Sequence, residues 1–186
     1  MKPLSPTLWR TCRMLSGKNR IRLLRHINEH PGESVTERAK SLGIGVSDAS
    51  QELRRIQSRG LLQADNCGAR VIYRFGADPL VYSAAPILKA ICLSLAERPA
   101  EADEQIRTIA KGLGHRKRIA LLQSLRRSPK SAYALQQDTR MSYGSLHLHL
   151  QGLLESGLVR RNERIYQFAP PKHPLARALI KLLPPA

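Results

Sequence analysis

The sequence predicts a mainly α-helical chain with small β-hairpins, built as two copies of one module that pack against each other. Three observations carry that fold class: an internal repeat, helical spacing of apolar residues in most segments, and a short hairpin at the same place in each copy. A shift of 98 positions lays LSGKNRIRLLRHINEHP (15–31) on LGHRKRIALLQSLRRSP (113–129), matching Leu15/Leu113, Arg20/Arg118, Ile21/Ile119, Leu23/Leu121, Leu24/Leu122 and Pro31/Pro129. One deleted loop residue changes the shift to 97, which aligns Ser34/Ser131, Leu53/Leu150, Ile56/Leu153, Gly60/Gly157 and Leu61/Leu158. After four more residues are lost, VIYRF (71–75) meets RIYQF (164–168), and PILKAICLSL (86–95) resembles PLARALIKLL (174–183). Two modules are expected, 1–98 and 99–186, joined through the acidic stretch ERPAEADEQ (97–105).

Each element of the first copy has a local cause. Residues 7–14 and 18–29 carry apolar positions at helical spacing, Leu8/Cys12/Leu15 and Ile21/Leu24/Ile27, and Pro31-Gly32 stops the second helix. Ser34-Val-Thr-Glu37 is a capping box: the serine oxygen and the glutamate carboxylate satisfy opposed backbone amides and open a short helix to Leu42. Gly43 and Gly45 make a turn. From Ser47 to Arg59 the core positions are Ala49, Leu53 and Ile56, and Gly60 supplies the stop. Residues 61–65 and 70–76 form a hairpin around Asn66-Cys-Gly68. Helix, helix, turn, helix, hairpin is the order of a winged helix-turn-helix, so the fold read from the chain is two such modules in tandem.

SLHLHLQGLL (145–154) tests that order. As a strand it would point His147 and His149 to one face, as metal ligands do; as a helix it holds them about 200° apart. Its LHLHLQGLL (146–154) aligns without a gap on ASQELRRIQ (49–57), whose spacing is helical, so Leu146, Leu150 and Leu153 repeat the core stripe. The two histidines then flank the outward face, both partly exposed, and no shared metal is expected.

Composition narrows the function. Thirty-one Lys and Arg stand against 14 Asp and Glu, a net charge of +17, which favours a polyanionic partner. Residues 1–98 hold 16 basic and 8 acidic residues, net +8; residues 99–186 hold 15 and 6, net +9. No apolar run approaches the roughly 20 residues needed to cross a bilayer, and MKPLSPTLWRTCRML lacks a signal-peptide core. A cytoplasmic, nucleoid-associated protein with no membrane partner is expected. Cys12, Cys67 and Cys92 are three, without C-x-x-C spacing, which indicates neither a disulfide framework nor a zinc ribbon. Cys12 and Cys92 fall on neighbouring expected helices as buried structural thiols.

LSGKNRIRLLRHI, SVTERAKSLGIGVSDASQELRRIQSRGLLQ and ARVIYRF together resemble the ArsR-type winged helix regulators, and LGHRKRIALLQSL, LLESGLV and RIYQF resemble them more loosely. The resemblance implies a bacterial repressor whose first and last helices form a dimer interface. Segments 7–14, 86–97, 102–112 and 174–183 occupy those places, and Ile87, Leu88, Ile91, Cys92 and Leu95 make a stripe too broad for a lone surface helix. An intramolecular pseudo-dimer follows, monomeric in solution, with a homodimer as the alternative. Where metal-sensing members carry a Cys-x-Cys pair, this chain has Ser34 and Thr36, or Ser131 and Tyr133, so that kind of sensing is unsupported. Arg38 stands where an aliphatic is usual, which predicts atypical packing of that helix.

Opposite the first core stripe lie Ser47, Asp48, Gln51, Arg54 and Arg55, the side a recognition helix turns to the major groove. Gln51 suits adenine, Arg54 and Arg55 guanine or phosphate, and Asp48 cytosine. Arg70 adds a cation on the first wing. In the second copy the face reads Gly144, Ser145, Leu148, Gln151 and Gly152, with His147 beside it and no arginine. Its wing supplies Arg160, Arg161 and Arg164, suited to phosphate or a narrow minor groove. No carboxylate pair, nucleophile with base, phosphate loop or zincin helix stands at a workable spacing, so neither an enzyme nor a cofactor is expected. The expected function is sequence-specific recognition of double-stranded DNA; the alternative is an architectural DNA binder or a tandem winged-helix replication or protein-assembly factor.

Overall fold

Buried apolar positions set the boundaries of each helix, and glycines in left-handed backbone end several of them. The computed structural model describes residues 7–68, 70–97, 99 and 103–184. The ends of both expected modules, and residues 98 and 100–102 of the acidic junction, lie outside these described residues. Among them are ten helices and five strands, in the order α1 (Leu8–Leu15), α2 (Lys18–Glu29), α3 (Val35–Leu42), α4 (Val46–Gln57), β1 (Leu62–Cys67), β2 (Arg70–Phe75), α5 (Ala84–Glu97), α6 (Asp103–Leu113), α7 (Arg116–Arg127), β3 (Lys130–Ser131), α8 (Ala132–Thr139), α9 (Tyr143–Glu155), β4 (Val159–Asn162), β5 (Ile165–Phe168) and α10 (Pro174–Lys181). The chain is mainly α-helical with two small antiparallel sheets.

The element order repeats, and so does the burial. Leu8, Thr11, Cys12 and Leu15 of α1 are buried at the positions that Ile106, Ile109, Ala110 and Leu113 fill in α6. Capping repeats as well. Ser34 opens α3 with the reciprocal bonds the sequence predicts: its N–H donates to Glu37 Oε2 at 2.7 Å, and its hydroxyl accepts from the Glu37 N–H at 3.4 Å. Ser131 caps α8 alone, because Ala134 replaces the glutamate. Gly43 ends α3 at φ 63°, where α8 ends on Arg140 at φ 52°.

The hairpins depart slightly from expectation. Asn66 pairs with Val71 and Cys67 with Arg70, so the first hairpin is zipped to its turn instead of opening at residue 65. In the second, β5 is the middle strand, paired with β4 and with the two-residue β3, which no sequence period could reveal. Among the described residues the first copy has one bridge there, Ser34 to Ile72.

The copies join through their outer helices. Helix α1 packs on α6, and α5 packs on α10. Ile87, Ile91 and Leu95 of α5 are buried, with Leu88 and Cys92 at the edge of the stripe. One apolar cluster runs from Leu8 to Leu183 through both repeats. Arg25 on α2 clasps Asp103 on α6 with both arms, Nε to Oδ2 at 2.8 Å and Nη2 to Oδ1 at 2.7 Å. That pair is a charged tie across the repeat boundary, held mostly out of water. Among the described residues no helix is long and apolar enough to cross a membrane.

Candidate nucleic-acid interface

What α4 buries decides what it shows. Ala49, Leu53 and Ile56 are sealed against α2 and α3, and Ser47, Asp48, Gln51, Arg54 and Arg55 are all exposed on the other side. The three-residue turn Gly43-Ile44-Gly45 joins α3 to α4, which packs on α3 and α2. Gln51 Nε2 donates to Ser47 Oγ at 3.5 Å, and Arg55 Nη1 donates to Glu52 Oε1 at 2.6 Å. Glu52 turns inward and meets Arg20 Nε of α2 at 3.3 Å. Arg54 makes no hydrogen bond or ion pair among the described residues.

The first wing is tied to this unit. Arg70 Nη2 donates to both Glu37 oxygens, at 2.5 and 2.6 Å. The Ser34 N–H, the Ser34 hydroxyl and Arg70, in that order of effect, hold the Glu37 carboxyl at a pKa of about 2. Arg70 is therefore an exposed cation paired with Glu37, which ties the wing to α3. A groove of about 220 Å³ runs between α3, α4 and β2, with Thr36, Ser50 and Arg54 along it.

The second copy brings together different chemistry. Leu148 is 67% exposed, Tyr143 66% and Tyr133 72%, so α8 and α9 show an apolar and aromatic surface where α4 shows arginine. Gln151 is exposed and donates to Glu155 Oε1 at 3.2 Å; exposed His147 lies against Tyr143, ring centroids 4.7 Å apart. Ser145 is half-buried and accepts from Lys117 Nζ at 2.7 Å, which draws a lysine of α7 to the face. No sequence period points to Lys117, because only the packing of α7 against α9 brings it there. Gly152 is not on the outward face: the Arg118 guanidinium lies on it, and a Cβ there would meet Cζ at 2.6 Å. Arg160, Arg161 and Arg164 are exposed on the β4–β5 wing as expected. Arg161 Nε donates to the Glu163 carbonyl at 2.7 Å and its guanidinium lies 5.6 Å from the Tyr166 ring centroid.

The expectation for the paired histidines is corrected in part. The segment is helical, α9, but His149 is buried, not partly exposed. It stands where the first copy has Glu52, and stacks on His115 at the start of α7 with ring centroids 4.3 Å apart. Burial first, then the charges of His115, Arg118 and Lys117, push its pKa down to about 4. His149 thus stays neutral at ordinary pH and gives no acid-dependent grip on phosphate.

The thiols are free. Cys12 is buried, which pushes its thiol well up; Cys92 is half-buried and Cys67 exposed on the wing. Among the described residues no group of three His, Cys, Asp or Glu side chains is placed to hold a metal. No protein-family model, curated protein or solved structure matches the chain.

Proposed function

We propose that this chain is a sequence-specific double-stranded DNA-binding transcriptional regulator, a repressor acting on the nucleoid, made of two tandem winged helix-turn-helix modules in one pseudo-dimer. The observation that carries the reading is the outward side of α4, where Ser47, Asp48, Gln51 and Arg54 form one exposed polar row on the second helix of a turn-linked pair. A helix so mounted fits a major groove, and glutamine and arginine are the side chains that read adenine and guanine there. The net charge of +17 supports a phosphate contribution to affinity.

The second copy supports unequal roles. Its wing has three exposed arginines for backbone contact, while Leu148, Tyr133 and Tyr143 suit a thymine methyl or a protein surface. That apolar surface is what favours the second reading, a tandem winged-helix assembly factor.

Selection of bound duplexes from a random pool, followed by titration at several salt concentrations, tests the proposal. A selected site should bind at least about 10³-fold tighter than a scrambled duplex. The log-log salt slope should lie at about −5 to −9, from roughly 6 to 10 phosphate contacts. Equal affinity for both duplexes would leave only an architectural binder, and no salt-sensitive binding would end the nucleic-acid reading.

A further inference from the structure

The two modules contain the same cleft, and its charge has diverged. In the first copy it lies between α1, the start of α2 and the C-terminal end of α4, holds about 530 Å³, and is walled by Trp9 and the guanidinium groups of Arg10, Arg13, Arg20, Arg55 and Arg59. No carboxylate among the described residues lines it. The positions 98 or 97 residues later, Arg107, Thr108, Lys111, Gly152, Glu155 and Ser156, line a cleft of about 230 Å³ between α6 and α9. There Arg107 and Lys111 are offset by Glu104 and Glu155. A chain that was merely basic would charge both clefts alike. This one concentrates five positive charges in one and balances the other.

Five like charges around one cleft repel each other, and little inside the protein relieves them. Glu52, behind the wall, takes Arg20 and Arg55. Arg10, Arg13 and Arg59 have no carboxylate partner among the described residues. A compact multivalent anion would neutralise such a cluster, and guanidinium groups prefer phosphate, which they bind through paired N–H donors. Trp9 adds a planar surface, half-buried, with the Arg10 guanidinium 5.2 Å from its ring centroid. Indole and guanidinium planes stack on aromatic bases. The volume lies within the roughly 300–1,000 Å³ typical of small-molecule sites.

We propose that this cleft binds a nucleoside polyphosphate, its phosphates against Arg13, Arg20 and Arg59 and its base against Trp9. The inference does not require the DNA reading. Arg55 belongs to both the cleft and the outward α4 face, so an occupied cleft would also compete for one of the charges offered to DNA.

Trp9 is the chain's one tryptophan, so its emission reports on the cleft directly. The full chain is titrated with ATP, with inorganic tripolyphosphate and with a short DNA duplex, following Trp9 fluorescence and heat of binding. ATP should quench Trp9 saturably, and tripolyphosphate should displace it while binding more weakly itself. Arg13→Gln combined with Arg59→Gln should weaken ATP binding at least about tenfold through loss of charge-assisted bonds. Lys111→Gln, in the balanced cleft, should leave ATP binding unchanged, and Arg10→Gln serves if the double variant melts early. The proposal is overturned if ATP gives no saturable response, if the arginine variants bind it as well as the native chain, or if only the duplex quenches Trp9, which would make the cleft a DNA-backbone contact.

Discussion

Arg38 puts a guanidinium inside the packing of α3, fully buried, with Nε donating to the Glu33 carbonyl at 3.1 Å and both terminal nitrogens without a hydrogen-bond partner. The second copy fills the same position with Leu135, also fully buried. Removing a buried charge in favour of an apolar side chain is commonly neutral or stabilising, so Arg38→Leu should raise stability by about 1 kcal/mol, read as a higher urea midpoint. A loss of similar size would mean that the guanidinium holds the loop before α3 in place. His149 gives the second expectation, and its sign follows from its depressed pKa. Between the unfolded value near 6.5 and the folded value of about 4, the unfolded chain binds more protons, so stability falls as pH drops through that window. His115, also lowered, chiefly by burial, adds in the same direction. Glu37 and Asp138, whose pKa values are depressed, lose their contribution only below the ordinary carboxylate range, so the windows separate. From pH 7 to pH 5 the native chain should lose about 1 to 2 kcal/mol that His149→Gln does not lose. Identical slopes in thermal melts of the two proteins would contradict the buried, neutral histidine.

At the scale of the element, the helices are legible in the sequence because a buried stripe recurs every three or four residues over at least two turns, as Ala49, Leu53 and Ile56 do in α4. Strand β3 is not, since two residues carry no period. The inward turn of His149 is hidden for another reason: at helical spacing it borders Leu146 and Leu153, and only the approach of His115 and Arg118 from α7 decides that the border is covered. The candidate interface is legible where one helix contains it, Ser47 to Arg55, and illegible where two segments meet, as with Lys117 on Ser145 or Arg70 on Glu37. This difference in kind between α4 and the second wing yields the third expectation. Gln51→Ala or Arg54→Ala should cost about 1 to 3 kcal/mol on the preferred duplex and relax choice at particular base pairs. Arg160→Ala and Arg161→Ala should weaken all duplexes nearly alike and make the salt slope shallower by about one unit for each arginine that no longer neutralises a phosphate. If the wing variants lose specificity while the α4 variants lose only general affinity, the assignment of the two modules is reversed.

At the scale of the molecule, duplication closes an interface that separate modules would have had to find by association. Helices α1 and α6 occupy equivalent places in the two repeats and pack on each other, and so do α5 and α10, which is how a twofold interface pairs like with like. In the proposed pseudo-dimer both partners lie in one chain, and the surface is used up internally. The protein should therefore scatter light as a monomer near 20.8 kDa at micromolar concentration, carrying both of its outward helices. The tie between Arg25 and Asp103 separates this from an exchange of modules between chains. Its two side chains are 11% and 15% exposed and span the repeat boundary, so losing the carboxylate removes the shortest bonds of a largely buried guanidinium. Asp103→Ala should lower stability by about 2 kcal/mol, because the guanidinium loses its two short charge-assisted bonds and keeps Glu29 at 3.3 Å and the Leu95 and Pro99 carbonyls. In a monomer that loss is independent of protein concentration. If the modules instead paired across chains, the melting temperature of the native protein would rise with concentration, and Asp103→Ala would shift the mass distribution toward smaller species. A tight native dimer together with a concentration-dependent melt would show that the pseudo-twofold within one chain is not the interface that dominates in solution.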